Sequence, residues 1–574
     1  MAAHRWWFGL CMTGLMGLEM LTACAPDSAD ATETRTSVPT ERSEAVPLSV
    51  PNRDIQSPSE LYPVLFPQIA LSGVVDPKDW ADAVPLFPAD EINAAYEKEA
   101  PQTRAAMRAF VETHFRLPEE MATPNAWDGR DPRTLSDHID ALWAQLTRAA
   151  DDEHEEEGSL IPLPYDYVVP GGRFREVYYW DAYFTMAGMI DGYDRIKRRM
   201  VDNFAYLIDD VGHIPNVNRT YYISRSQPPF FFAMVGLLSE GQEELAWADY
   251  LDAMRAEYRF WMAGADGLAP GEASRRVVRM PDGNILNRYW DDRDVPRDES
   301  FIQDHETAAR SDREPAELFR DLRAGAESGW DFTSRWLDDP NDLSTIRTTR
   351  IIPVDLNSLM YGMERAIAAG CTAEGDTACA AEFEDRASRR KAAMNTYLWD
   401  PDKGIFGDYD WEREALTPHL SAASIYPLFL GVATPSQAAS TAGMVREDLL
   451  APEGMLSTPV VTGEQWDAPN GWAPLHYMAA VGFDAYGEET LARTIAERWL
   501  STVARSYCQS GKLVEKYNVA EAKPGGGGEY PTQDGFGWTN GVTAALLRRY
   551  PDLAGYGDVR PAGADLDRCE AIGR

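Results

Sequence analysis

The chain has 574 residues, of which 44% are hydrophobic, enough to bury a large core. Its formal net charge of −38 sets it against phosphate backbones and anionic membrane surfaces, so nucleic-acid binding is excluded as a function. The acidity reads as a solvated surface with no catalytic role.

The N-terminal residues read as an export signal spanning 1–25. His4 and Arg5 precede an apolar run from Trp6 to Leu21, interrupted by Glu19 and followed by Ala23, Cys24 and Ala25. That run is too short and broken to span a membrane. The stretch Leu21 to Cys24 fits a lipoprotein box with Cys24 as the lipid anchor, which is the preferred reading. Ala23-Cys24-Ala25 also fits ordinary signal cleavage. Either route places the protein in the periplasm. Residues 26–57, rich in Ser, Thr, Glu and Pro, read as a disordered polar tether.

Helical spacing then dominates. Glu91 to Phe115 places Ala95, Met107, Phe110 and Val111 on one face, and Leu135 to Ala150 does so with Ile139, Leu142, Trp143 and Leu146. The acidic run Asp151 to Glu157 reads as a solvated helix end. Further helices are expected over Asp181 to Val211, Glu240 to Trp261, Leu356 to Ala369, Ala381 to Leu398, Met478 to Thr502 and Gly541 to Tyr550. Long loops such as Leu268 to Asp304 and Asp400 to His419 intervene and carry much of the Trp, Gly and acid. No β-alternation is long enough for a large sheet. The pattern predicts an all-α domain over 58–556, with a site built on loops at one end, and a C-terminal tail over 557–574.

Cys371, Cys379, Cys508 and Cys569 remain after export and allow three disulfide connectivities. Cys371 and Cys379 flank a short Gly/Thr/Asp-rich stretch and are paired here, which leaves Cys508 to reach Cys569 and pin the tail. The eight His show no HExxH or other ligand spacing, so neither metal nor cofactor is expected.

Five segments carry chemistry. Residues 170–183 (PGGRFREVYYWDAY) combine two glycines with a fork donor, Arg173, a flat face, Trp180, and an acceptor, Asp181. A pyranose needs such groups: C–H faces that stack and hydroxyls that bind charged partners. The others are 212–229 (GHIPNVNRTYYISRSQPP), 326–336 (AESGWDFTSRW), 465–474 (QWDAPNGWAP), and 515–518 (EKYN) with the glycine run 525–528 and 529–541 (EYPTQDGFGWTNG).

Together, in this order over roughly residues 58–550, these segments resemble the trehalase family of glycoside hydrolases. The resemblance implies an (α/α)6 barrel, or toroid, and hydrolysis of trehalose by water with inversion at the anomeric carbon. It maps the general acid onto Asp331 and the general base onto Glu515. Sugar-binding positions fall on Arg173, Trp180, Asp181, Asn216, Arg225, Ser226, Gln227, Arg297, Glu299, Gly329 and Glu529. A monomer acting on a small sugar is implied. The family's Arg-Pro-Glu is replaced by Arg297-Asp298-Glu299, and loss of the proline is expected to loosen that loop. Asn518 stands where relatives often have Asp. From the residues alone, Asp331 could instead pair with Arg335 four positions on. An inverting pair needs about 6.5–9.5 Å between carboxyls to admit water. Another α-glucoside as substrate, and a non-catalytic sugar receptor, are the competing readings.

Overall fold

Two kinds of helix alternate along the chain, distinguished by how much of their circumference is apolar. The helix Asp194–Val211 buries Met200, Val201, Phe204, Leu207 and Ile208 along one stripe and exposes its charged face, the pattern of a helix lying on the outside of a core. The helix Ala473–Ala485 buries nearly every side chain and must sit inside.

The structure is a computed structural model. It describes residues 55–118, 133–151, 158–521, 523–529, 533–563 and 565–573. The expected export signal with Cys24, nearly all of the tether, and the acidic run apart from Asp151 lie outside the described residues.

Among the described residues, six inner layers can be followed: Tyr179–Ala187, Phe231–Gly236, Val354–Glu374, Ala422–Ile425 continued by Tyr426–Phe429, Ala473–Ala485, and Gly537–Arg549. Each touches the next, and the last packs back on the first. Outside them lie Leu135–Leu146, Asp194–Val211, the pair Glu243–Asp249 and Leu251–Trp261, Thr377–Tyr397, Pro435–Met444, and Glu489–Ser510. The result is the expected (α/α)6 toroid. Its seam is closed by glycines. A Cβ on Gly188 would stand 2.0 Å from the Gly541 carbonyl oxygen, and one on Gly541 would stand 2.2 Å from that of Phe184. Backbone meets backbone there, so no side chain fits.

Several expected helices are divided. Asp181 to Val211 is interrupted after Ala187, where Gly188 ends one helix and Gly192 takes a positive φ of 91°. Met478 to Thr502 divides at Tyr486-Gly487, Gly487 having φ 81°. Glu240 to Trp261 divides at Tyr250. Two helices outside the expected set, Pro315–Glu327 and Pro435–Met444, each begin on a proline at the first turn, where its missing N–H costs nothing. The loop Leu268 to Asp304 holds a three-stranded antiparallel sheet, Ala273–Ser274, Val277–Arg279 and Ile285–Asn287, with strands too short to show alternation.

Both expected disulfides are present, Cys371–Cys379 and Cys508–Cys569. The second fastens the tail to the outer helix Glu489–Ser510. The Ala562 N–H donates to the Cys508 carbonyl at 2.8 Å, and Arg505 donates to that of Ile572 at 2.9 Å. No described helix is long and apolar enough to cross a membrane.

Candidate active site

The inner helix Tyr179–Ala187 starts the site. Glycines 171 and 172 turn the chain into it with positive φ values, and Gly172 lies directly against Gln533. Trp180 and Asp181 then fall in the first turn and are buried. The Trp180 N–H donates to Gln227 Oε1 at 3.1 Å, which ties the 212–229 segment to this helix.

The long connection between the outer helix Leu251–Trp261 and the inner helix Val354–Glu374 carries Arg297, Glu299 and Asp331. Helix Pro315–Glu327 delivers the chain to Ser328, whose Oγ donates to the Gly325 carbonyl and accepts from the Trp330 N–H. Gly329 then takes φ 73°, and a Cβ there would stand 2.9 Å from the Trp180 ring. Only glycine satisfies both demands. Beyond Asp331 the chain is bolted down. Asp467 accepts from Thr333 Oγ1, the Ser334 N–H and Ser334 Oγ at 2.8–2.9 Å. Arg335 is held by Asp355 and Asp408 at 2.6–3.0 Å, so it is not a partner that neutralises Asp331.

Glu515 stands just before a short strand, Lys516–Asn518, which pairs antiparallel with Asn470–Trp472. The Glu515 N–H donates to the Gln533 carbonyl at 3.1 Å, and its own carbonyl accepts from Trp538 Nε1 at 2.9 Å.

Twelve of the thirteen expected residues line one pocket: Arg173, Trp180, Asp181, Asn216, Arg225, Gln227, Arg297, Glu299, Gly329, Asp331, Glu515 and Glu529. The space enclosed by these residues, open solvent at the mouth included, is about 740 Å³. Ser226 is the exception. Its Oγ donates to the Ile214 carbonyl at 2.6 Å and its N–H to Glu327 at 2.9 Å, so it braces the wall from behind. Asp298 also departs from expectation. It is buried and accepts from the N–H and Oγ of Ser59 at 3.0 and 2.8 Å, so the loop without proline is tied down, not loosened.

Arginine–carboxylate pairs line part of the pocket. Arg225 reaches Glu299 at 2.5 Å and Asn216 at 3.0 Å, and Arg297 reaches Asp304 at 2.6 Å and Glu529 at 2.9 Å. Glu299 Oε2 is buried with no hydrogen-bond partner among the described residues, an acceptor suited to a ligand hydroxyl. Another part of the lining is aromatic: Trp466 stacks on Trp472 at 3.9 Å between ring centres, with Trp180 and Trp538 beside them. Trp466, Trp472, Phe536 and Trp538 lie within the segments singled out from the sequence. Phe174, Tyr178 and Tyr222 flank the assigned positions. Lys78, from the short helix Pro77–Ala81, is a contribution that nothing in the sequence marked.

Burial sets the carboxyls apart. Asp331 keeps part of its surface open to the pocket, yet enclosure by protein pushes its carboxyl up to about 7. Arg297 opposes that rise and Glu529 adds to it. Asp181 is raised well above the usual carboxylate range by burial first, then by Glu515 and Asp331. Among the described residues no group of three or more His, Cys, Asp or Glu is placed to hold a metal ion.

A helical toroid with an acid-rich, tryptophan-lined pocket at one end defines the class of helical-barrel glycoside hydrolases. The family model for trehalase matches residues 74–551, and the chain belongs to the trehalase family. It is 48% identical over 546 residues to a periplasmic trehalase of Xanthomonas campestris pv. campestris, covering 94% of this chain and 93% of that one. A periplasmic trehalase of Xanthomonas axonopodis pv. citri is 47% identical over the same length. Among solved structures, the neutral trehalase of Saccharomyces cerevisiae matches with a TM-score of 0.54 and 25% identity, covering 73% of this chain and 82% of that one.

Proposed function

We propose that the protein is an α,α-trehalase that hydrolyses trehalose to two glucose molecules with inversion. The observation that carries this reading is that Asp331 and Glu515, far apart in sequence, line one pocket in contrasting surroundings. A carboxyl pushed up to about 7 holds its proton near neutral pH and suits the general acid, which protonates the departing glycosidic oxygen. Glu515 has an ammonium, Lys516 Nζ, at 3.0 Å from Oε2, and is read as the general base. Glu515 takes a proton from water as that water attacks the anomeric carbon from the face opposite the leaving oxygen. The other mapped residues bind the two sugar rings, Arg225, Arg297 and Glu299 through hydroxyls and Trp180 by stacking, while Ser226 supports the wall. The names of the relatives support trehalose as substrate and the periplasm as location. The chain acts as a monomer, with residues 1–25 as its export signal and Cys24 as the lipid anchor.

Time-resolved NMR on trehalose tests this directly. One α-glucose and one β-glucose per turnover are expected. Two glucoses of a single anomer overturn inversion, and no release overturns the substrate. Mass spectrometry of the mature N-terminus reads the anchor: a lipid on Cys24 is expected, and an unmodified terminus overturns it.

A further inference from the structure

Lys516 and Gln465 are fully buried and lie behind the pocket wall, outside its lining. A buried ammonium survives only where each donor is met. Lys516 Nζ donates to Glu515 Oε2 at 3.0 Å and to Gln465 Oε1 at 2.9 Å, and stands 5.1 Å from the centre of the Trp472 ring. The Gln465 side chain passes the link on, its Nε2 donating to the backbone carbonyl of Asp331. Gln465 is itself pinned: its carbonyl accepts from Asn470 Nδ2 at 3.0 Å and Trp472 Nε1 at 3.2 Å. A continuous polar path therefore joins the Glu515 carboxylate to the backbone of Asp331 without entering the pocket.

We propose that Lys516 and Gln465 are positioning residues, Lys516 presenting its charge to Glu515 and orienting it through Oε2, and Gln465 fixing the span between Glu515 and Asp331. This rests on reading Glu515 as the base. The span matters because an inverting pair must leave room for one water, and an error of about 1 Å costs on the order of 10²-fold in rate. The charge matters because Glu515 is buried. Among the described residues, the charged and titratable groups around it are few. Lys516 lies on its own strand. Asp181 faces it from the helix Tyr179–Ala187, and burial keeps that carboxyl protonated well past its usual range. Asp534, on the segment bonded to the Glu515 N–H, is paired with Lys512 at 3.2 Å. The helix Gly537–Arg549 presents Trp538, which is neutral. Lys516 thus brings a cation into direct contact with the carboxylate.

The test is the pH profile of kcat/KM on the full chain. In Lys516→Met the acid limb moves up by about one pH unit or more, because loss of a cation disfavours the carboxylate. Its kcat falls on the order of 10²-fold while KM changes by less than about threefold. Lys516→Gln, which keeps a donor and removes only the charge, serves if the methionine variant fails to fold. Gln465→Leu lowers kcat by about tenfold or more with the acid limb in place, separating span from charge. A folded Lys516→Met or Lys516→Gln whose acid limb stays where it was overturns the role of Lys516, and a folded Gln465→Leu with undiminished kcat overturns that of Gln465. Near-normal turnover by Glu515→Gln would instead overturn Glu515 as base, whatever Lys516 does.

Discussion

The two loops that bring Asp331 and Glu515 to the pocket are built by different means. The loop carrying Asp331 is an insertion between an outer and an inner helix, long enough to contain a small sheet and the helix Pro315–Glu327, and it is fixed by buried ion pairs such as those of Arg335. The loop carrying Glu515 is the shorter, follows directly from the outer helix Glu489–Ser510, and is fixed by a three-stranded antiparallel sheet and by Trp538. Their surroundings diverge accordingly: Asp331 is enclosed and shares its space with Glu529, while Glu515 has an ammonium against it. The same functional group meets a different environment in each loop, and the proposed division into acid and base rests on that contrast.

The strongest way to break the contrast is to neutralise each carboxylate in turn. Asp331→Asn and Glu515→Gln should each lower kcat by roughly 10²–10⁴-fold, with an unchanged far-ultraviolet circular dichroism spectrum. Near-normal turnover in either would end the assignment for that loop. Next is the foundation of the first loop. Arg335→Met leaves Asp355 and Asp408 buried without their cation and should destabilise the fold by about 3–5 kcal/mol in chemical denaturation. A loss below about 1 kcal/mol would show that the loop is held by other contacts.

The second loop has its own anchor in the Cys508–Cys569 bridge, which closes a loop of 61 residues. Replacing both cysteines by serine should cost about 2–4 kcal/mol of stability and leave kcat at low temperature nearly unchanged. A large fall in kcat instead would mean that the bridge shapes the site. Gly329→Ala forces a side chain into left-handed backbone and against Trp180, costing about 1–2 kcal/mol and a measurable share of kcat. The finest probe is pH. Activity should fall as pH rises through about 7, where Asp331 loses its proton. Glu529 contributes to that raised value, so Glu529→Gln should shift the alkaline limb to lower pH, and an unmoved limb would detach Glu529 from Asp331.

Much of this site was legible because its chemistry is concentrated in short segments. Trp180 and Asp181 stand out by residue type, whereas Asp331 and Glu515 were reached through the family resemblance of the segments that hold them. Spacing also revealed most helices, though it ran through the glycine breaks at Gly188 and Gly487, since periodicity persists across a turn that glycine redirects. Ser226 illustrates the limit within a motif: sequence gives adjacency to Arg225 but not the direction of a side chain. Lys78 illustrates the limit between motifs, as a short amphipathic helix carries no sign that a distant pocket needs its lysine. The tie between Asp298 and Ser59 is likewise long-range, so substitution of a proline there misled about rigidity.

The glycine seam between Gly188 and Gly541 has a consequence for how the molecule comes into being. The ring is a clasp whose two halves are made hundreds of residues apart, and Glu515 and Trp538 are among the last pocket residues to leave the ribosome. A chain that ends before Gly541 cannot shut the clasp, so the pocket takes shape only once nearly the whole chain has been made.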